Sequence, residues 1–230
     1  MDIKILHLVE GAKKARGTTV IIDVFRAFSL ACYMVDKGAE RIIPVADVQT
    51  AYRLRGENPD YLLAGERNNM KPDGFDFGNS PYLIRDCDFT GKTIVHATSA
   101  GTKGVVHATA ADEILTGSFV NADAVIRYIK WKNPSEISLV CMGYSAACPV
   151  EEDNLCAEFI QNALENRSSD FPEMVKTIRH TSGRRFFAED MQKHCPSEDF
   201  NLCLDLNRFQ FVLKAEKSSG GLLNLVRYDI

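Results

Sequence analysis

The chain has 230 residues, 45% apolar and 25% charged, with a net charge of −4 at pH 7. That is an ordinary globular composition, long enough for one large α/β domain or two small ones. No basic block could grip a phosphate backbone, which argues against nucleic acid as a partner; no apolar run approaches the roughly 18–20 residues that span a bilayer, so no membrane partner is expected.

The seven cysteines, Cys32, Cys87, Cys141, Cys148, Cys156, Cys195 and Cys203, contain no CxxC pair and are odd in number. Reduced thiols in a cytoplasmic protein fit this better than a disulfide framework. The start, MDIKILHLVEGAKK, puts charges inside any would-be signal core, which argues against secretion.

Ile3 to Val9 reads as a first strand and Gly11 to Gly17 as a basic loop. Thr18 to Val24 is β-branched, apolar and short, the signature of a buried strand. Asp23 stands at its end and Arg26 three residues on. A helix is predicted over Phe28 to Lys37, a strand over Arg41 to Val45, and a helix over Val48 to Arg55 capped by Asp47. Tyr61 to Ala64 is the next strand. It feeds Gly65 to Pro81, GERNNMKPDGFDFGNSP, whose glycines and prolines bend the backbone and bring Glu66, Arg67, Asp76, Asn79 and Ser80 together in one loop.

Pro81 to Cys87 has weak helical character. A strand over Lys92 to Ala97 delivers Thr98-Ser99-Ala100-Gly101-Thr102 to a helix over Lys103 to Ala110. Glu113 to Leu115 is a strand, Ala122 to Trp131 a helix, Glu136 to Met142 a strand, and Glu151 to Leu164 a helix opening on Glu152 and Asp153. Beyond a polar linker from Asn166 to Pro172, helices are predicted over Val175 to Ile178, Arg184 to Lys193 and Glu198 to Leu204. Phe209 to Ala215 is a final strand or docking segment. The alternation of strand and helix argues for a three-layer α/β/α domain with a largely parallel or mixed central sheet, single over residues 1–230 or divided into subdomains near residue 165.

In a parallel sheet the carboxyl ends of the strands share one edge, so the polar loops after four strands should meet in one crevice. These are Asp23 with Arg26, the 65–81 loop, the 98–102 turn and the loop before Glu152 and Asp153. N–H groups at the 98–102 turn, with the hydroxyls of Thr98, Ser99 and Thr102, suit an anion, although an ordinary helix cap reads the same way. Asp23 lacks the second Asp two residues on that aspartyl-nucleophile phosphatases carry; Phe25 stands there. Asp23 is therefore a metal ligand or charge anchor, or a structural acid paired with Arg26. Oxygens of Asp23, Glu66, Asp76 and Asp153 would favour a hard cation such as Mg²⁺. His96 is the histidine nearest this chemistry, with a structural role more common for such a residue.

The segments IIDVFRAFSLACYMVDKGAERIIPV, LLAGERNNMKPDGFDFGNSP, TSAGTKG, GSFVNADAV and CMGYSAACPVEEDNLCAEFI together resemble the 2-phosphosulfolactate phosphatase family, in the family's order, over about residues 1–165. AEDMQKHCPSEDFNLCLDLNRFQFV continues the likeness more weakly. The resemblance implies a three-layer α/β fold and Mg²⁺-dependent hydrolysis of a phosphate monoester, 2-phosphosulfolactate to sulfolactate and phosphate, on a route to coenzyme M. Its polar positions fall on Asp23, Arg26, Glu66, Arg67, Asp76, Asn79, Ser80, Thr98, Gly101, Thr102, Glu152 and Asp153. The expected roles are Asp23, Asp76 and Arg26 in catalysis, and Arg67, Asn79, Ser80, Thr98, Ser99, Gly101 and Thr102 on a small phosphorylated anionic substrate. Asp23, Glu66, Asp76, Glu152 and Asp153 would be the metal set. The chain departs from the family at Asn68 and Asn69, where two glycines are usual, and at Ala100 and Lys103 in the turn. Those departures motivate an alternative, a non-catalytic small-anion-binding protein on the same fold; a nucleotide-using transferase is weaker, since no Walker or GxGxxG loop is present. A homodimer is the default oligomer.

Overall fold

Segments such as TTVII, apolar or β-branched at every position, cannot present a wet face, so both sides of such a strand must be covered. The structure, a computed structural model, describes residues 1–218 and 220–230. It begins β1 (Asp2–His7), α1 (Leu8–Lys14), β2 (Thr18–Ile22), α2 (Ala27–Asp36), β3 (Arg41–Val45), α3 (Val48–Glu57), β4 (Leu62–Gly65) and β5 (Thr93–Ala97). It continues α4 (Gly101–His107), β6 (Glu113–Gly117), α5 (Ala122–Lys132), β7 (Glu136–Cys141), α6 (Glu151–Leu164), α7 (Phe171–His180), α8 (Ser197–Cys203), β8 (Phe211–Lys217) and β9 (Leu223–Asp229). The strands form one nine-stranded sheet, ordered β1-β7-β2-β6-β8-β9-β3-β5-β4.

Side-chain alternation sorts the core. Ile21, Ile42, Ile94 and Val140 face α1, α2 and α4. On the other face Val20, Ile22 and Leu139 meet α5 and α6, while Ile43, Leu63 and Val95 meet α3. Helices on both sides of the sheet make the three-layer α/β/α fold. The last third belongs to the same core: Ile178, Phe186 and Phe200 pack with α5 and α6, and β8 and β9 lie inside the sheet.

The sheet is mixed in a way that alternation of elements did not reveal. β1, β7, β2 and β6 are mutually parallel, as are β3, β5 and β4. Three antiparallel steps, β6 to β8, β8 to β9 and β9 to β3, separate the two blocks, so they run in opposite senses. The carboxyl ends therefore do not share one edge as a simple parallel sheet would have them. The β8–β9 hairpin meets the second block through a single register pair, Ile42 with Leu225. Loops from both blocks nevertheless line one cavity, and the Gly101 N–H at the start of α4 reaches Asp23 at the end of β2.

Other departures are local. The expected loop at Gly11 is α1, a helix whose Gly11 and Ala12 are buried; glycine lowers the helix signal there but lets the turn lie against Leu6. Arg184 to Lys193 forms 3₁₀ turns over Ser182–Phe187 and Glu189–Met191 rather than a helix, with Gly183 pressed on the Phe200 ring. β9 follows Phe209 to Ala215, beyond the last element expected from the sequence.

Gly65 sets the exit of β4. Its φ is 141°, and a Cβ there would stand 2.0 Å from the Ala97 carbonyl oxygen. Gly65→Ala is expected to cost about 1–3 kcal/mol or more by overpacking, lowering Tm by several degrees in a thermal melt. An unchanged melt would show that the β4–β5 approach is not tight.

Candidate active site

The loops after β2, β4, β5 and β7 do meet. They enclose a cavity of about 20 Å³, lined among others by Asp23, Arg26, Glu66, Asn79, Ser99 and Tyr144. That is room for roughly one water molecule. Asn69 Nδ2 donates to the Tyr144 hydroxyl at 2.9 Å, joining two of the loops.

Asp23 follows β2 and is buried. Its Oδ1 accepts from the Ala27 N–H at 3.1 Å and its Oδ2 from the Gly101 N–H at 2.8 Å, the first residues of α2 and α4. Burial pushes its carboxyl up to about 7; the two N–H bonds oppose that, and Glu66 and Glu152 reinforce it. Asp153, in the first turn of α6, accepts from Val24 N–H at 2.9 Å and Gly143 N–H at 2.8 Å. Burial raises its carboxyl as well, with Asp23 and Glu152 adding repulsion. Glu66 takes the Ser99 N–H at 2.7 Å and the Ser99 hydroxyl at 3.1 Å, and the Asn69 N–H at 3.0 Å. Glu152 is buried, raised by its burial, and leaves Oε2 without a partner.

The anion-binding turn thus serves the protein's own acids. Ser99 donates to Glu66 and Gly101 to Asp23, while Thr98 and Thr102 bond each other: Thr98 N–H to the Thr102 hydroxyl at 2.9 Å, Thr102 N–H to the Thr98 hydroxyl at 3.2 Å. Arg26 lines the cavity, but its partner is not Asp23. Nη1 donates to Asp199 at 2.7 Å and to the His194 carbonyl at 2.8 Å. Asp199 also accepts from the Ser80 hydroxyl and the Tyr82 N–H, so Ser80 orients Asp199 rather than facing the cavity. Arg67 turns its guanidinium to the carbonyls of Glu66 and Ala46. Asn79 lines the cavity, with His96 Nε2 3.3 Å from its Oδ1. His96 is fully buried, and burial depresses it to about 3, so it is neutral and structural.

Asp76 is not brought to the cluster. Both its oxygens bind Arg55, at 2.8 and 3.0 Å, and Oδ2 takes the Leu63 N–H at 2.7 Å, tying α3 to β4. The sequence-expected metal set of Asp23, Glu66, Asp76, Glu152 and Asp153 is therefore not assembled as a set: among the described residues no three His, Cys, Asp or Glu side chains are arranged to hold one ion. Asp23 and Glu66 are the pair on the cavity wall. The oxygen donors of Asp23 and Glu66, two buried acids on one cavity wall that repel each other, fit a hard cation that takes one or two carboxylates and completes its shell with water and phosphate. The cysteines are free thiols among the described residues; Cys148 is exposed, with no role in the cavity.

Two residues escaped the sequence reading. Asp199 holds Arg26 from 173 positions away, with no local pattern to announce it. Arg185 sits in the 3₁₀ turn, 3.5 Å from Glu152 Oε1 and 3.2 Å from the Phe25 carbonyl.

A family model for 2-phosphosulpholactate phosphatase matches residues 4–218. The chain belongs to the 2-phosphosulfolactate phosphatase family. It is 36% identical over 177 residues to a probable 2-phosphosulfolactate phosphatase of Thermotoga petrophila, covering 77% of this chain and 75% of the relative. A protein of the same description from Caldanaerobacter subterraneus is 38% identical over 85% of this chain and 86% of its own length. A third, from Thermoplasma volcanium, is 30% identical over 88% and 92%. Within this phosphatase family the departures at the crevice prove conservative in backbone terms. Asn68 and Asn69 adopt left-handed conformations, φ 54° and 64°, which asparagine tolerates best among residues with a Cβ. Ala100 and Lys103 change side chains in a turn whose bonds to Glu66 and Asp23 come from the Ser99 hydroxyl and main-chain N–H groups.

The Asp23 carboxyl binds its proton near pH 7 in the fold and near 3.8 when unfolded, so the folded state holds more protons between those values. Its contribution to stability is complete below about pH 4 and is lost as pH rises to about 7, by up to about 4 kcal/mol. His96, depressed when folded, works in the opposite sense, so the informative comparison is with Asp23→Asn. In metal-free buffer the Tm of that variant relative to wild type should climb by about 5–10 °C between pH 5 and 7.5. A gap that does not change with pH would refute the burial effect.

Proposed function

We propose that the chain hydrolyses a small phosphorylated acid, 2-phosphosulfolactate to sulfolactate and phosphate, in the Asp23–Glu66–Arg26 crevice and with Mg²⁺ bound there. The observation that carries this reading is the meeting of a buried acid pair and a buried arginine at four strand ends in a chain of this family. Asp23 and Glu66 would hold the ion. When bound, it would neutralise phosphoryl oxygens and make a water nucleophilic at neutral pH.

The protein's own part is geometric. Arg26, fixed by Asp199 and the His194 carbonyl, keeps its remaining donors for the phosphoryl oxygens. Asn79, buried on the cavity wall, offers an amide to the same group. The phosphate ester would enter between the loops joined by Asn69 and Tyr144, and closure of those loops over it would exclude bulk water. A cytoplasmic location and a place on a route to coenzyme M complete the reading, and among the described residues no helix is long and apolar enough to cross a membrane. The binding-protein alternative loses its motive, because the substitutions behind it leave the crevice's backbone bonds in place.

Phosphate release should be measured from 2-phosphosulfolactate and other phosphomonoesters, with Mg²⁺ and with EDTA. Release that requires Mg²⁺ and prefers 2-phosphosulfolactate is expected; a folded protein that releases nothing would remove the proposal. Asp23→Asn should lower kcat by about 10²-fold or more. Asp76→Asn, remote from the crevice and bonded to Arg55, should lower Tm and leave kcat near wild type. The reverse ranking would return Asp76 to the chemistry.

A further inference from the structure

A substrate that carries a sulfonate and a carboxylate as well as a phosphate needs more than one cationic anchor. Of the two arginines expected to supply them, Arg67 is turned to backbone carbonyls. Arg26 alone of that pair lines the cavity. Arg185 is a second guanidinium just behind the cavity wall, packed against two of the residues that line it. Its head lies 5.7 Å from the Phe25 ring centre and 5.4 Å from that of Tyr144, both rings belonging to the cavity wall. It also stands 5.3 Å from the Phe186 ring, against which Arg26 lies at 5.8 Å. The two charged heads therefore flank one aromatic side chain.

Arg185 is held firmly and satisfied poorly. Three rings fix its plane by cation–π contact. Its one good hydrogen bond goes to the Phe25 carbonyl. The approach to Glu152, 3.5 Å, is too long for a strong charge-assisted bond. Its Nε is buried with no partner, and so is Oε2 of Glu152 beside it. Unmet buried donors are rare in folded proteins and call for a ligand or a water. A guanidinium presents its donors in a planar fork that matches sulfonate or carboxylate oxygens.

We propose that Arg185 is the specificity-determining residue that binds the second anionic group of the substrate, its sulfonate or carboxylate, while Arg26 holds the phosphate. The assignment rests on the phosphatase reading above and adds to it the part of the substrate that distinguishes it from a simple phosphomonoester. Glu152 then acts as the counter-charge that keeps Arg185 in place until substrate arrives.

Product binding tests this without requiring turnover. Calorimetric titrations of the full chain with Mg²⁺ present would use sulfolactate, which has the second anions and no phosphate, and inorganic phosphate, which has the reverse. Arg185→Gln should weaken sulfolactate roughly tenfold or more, the loss of a charge-assisted contact, while phosphate binding stays within about twofold. Arg185→Lys keeps the charge beside Glu152 and secures the test should the glutamine variant not fold. It should weaken sulfolactate by a smaller factor, again without touching phosphate. Equal weakening of both ligands, or no change in either, would overturn the assignment and leave Arg185 a structural partner of Glu152. Wild-type protein that binds neither ligand and releases no phosphate would instead overturn the phosphatase reading. Release by wild type with both ligands treated alike by the variants would overturn only the role of Arg185.

Discussion

Asp23 and Asp153 are buried acids whose oxygens accept main-chain N–H groups from three separate segments: Val24 and Ala27 after β2, Gly101 at the start of α4, and Gly143 after β7. Each carboxylate ties the start of one element to the end of another, and the two meet where β2 ends. A carboxyl group suits this because it offers two separate acceptor oxygens, one for each segment it joins. The energetic cost is desolvation, which raises both groups. The crevice therefore begins as a solution to a packing problem, the closure of strand ends over buried polar backbone, and acquires its chemistry from the charges used to solve it.

That closure explains how two oppositely directed parallel blocks can share a site. The hairpin of β8 and β9 joins them loosely, through one register pair to β3, so the sheet alone does not fix their angle. α4 does. It leaves β5 in the second block, and its first N–H binds Asp23 in the first. Its Gly104 lies so close to Ile21 and Met142 that a Cβ would fall within 2.7 Å and 2.4 Å of their side chains. Glu66 adds a link within the second block by holding the Ser99 turn. Short polar contacts across the two blocks lock them together.

The layers and most elements were legible because strand and helix periodicity is local. So was the convergence of four loops, although the premise of one parallel sheet was incomplete: the reversal between blocks depends on β8 and β9, of which β9 was unread. Individual roles were less legible. Asp76 sits in the same polar loop as Glu66, yet Arg55, on a helix earlier in the chain, captures it. Arg67 follows Glu66 and points the other way. Asp199 binds Arg26 across the length of the chain. A loop's composition says which groups are available, whereas tertiary contacts decide which of them face the cavity.

The charge balance of the crevice gives these contacts a direction. Asp23, Glu66, Glu152, Asp153 and Asp199 crowd around the guanidiniums of Arg26 and Arg185, Arg26 is already matched by Asp199, and Arg67 beside Glu66 spends its donors on main-chain carbonyls. A fold optimised for stability alone would replace such a cluster with apolar side chains, because unpaired buried acids cost more than they return. The excess can persist as bound protons, which is what the raised carboxyls express, or as a bound cation. These occupants compete for the same oxygens, since a protonated carboxyl is a poor ligand. The proposed Mg²⁺ would displace protons from a site already under repulsion, and its binding would stabilise the folded chain by mass action. The acids that make the crevice costly are then the same ones that would make it receptive, and in the proposed reaction the guanidiniums beside them would set which anion arrives with the metal.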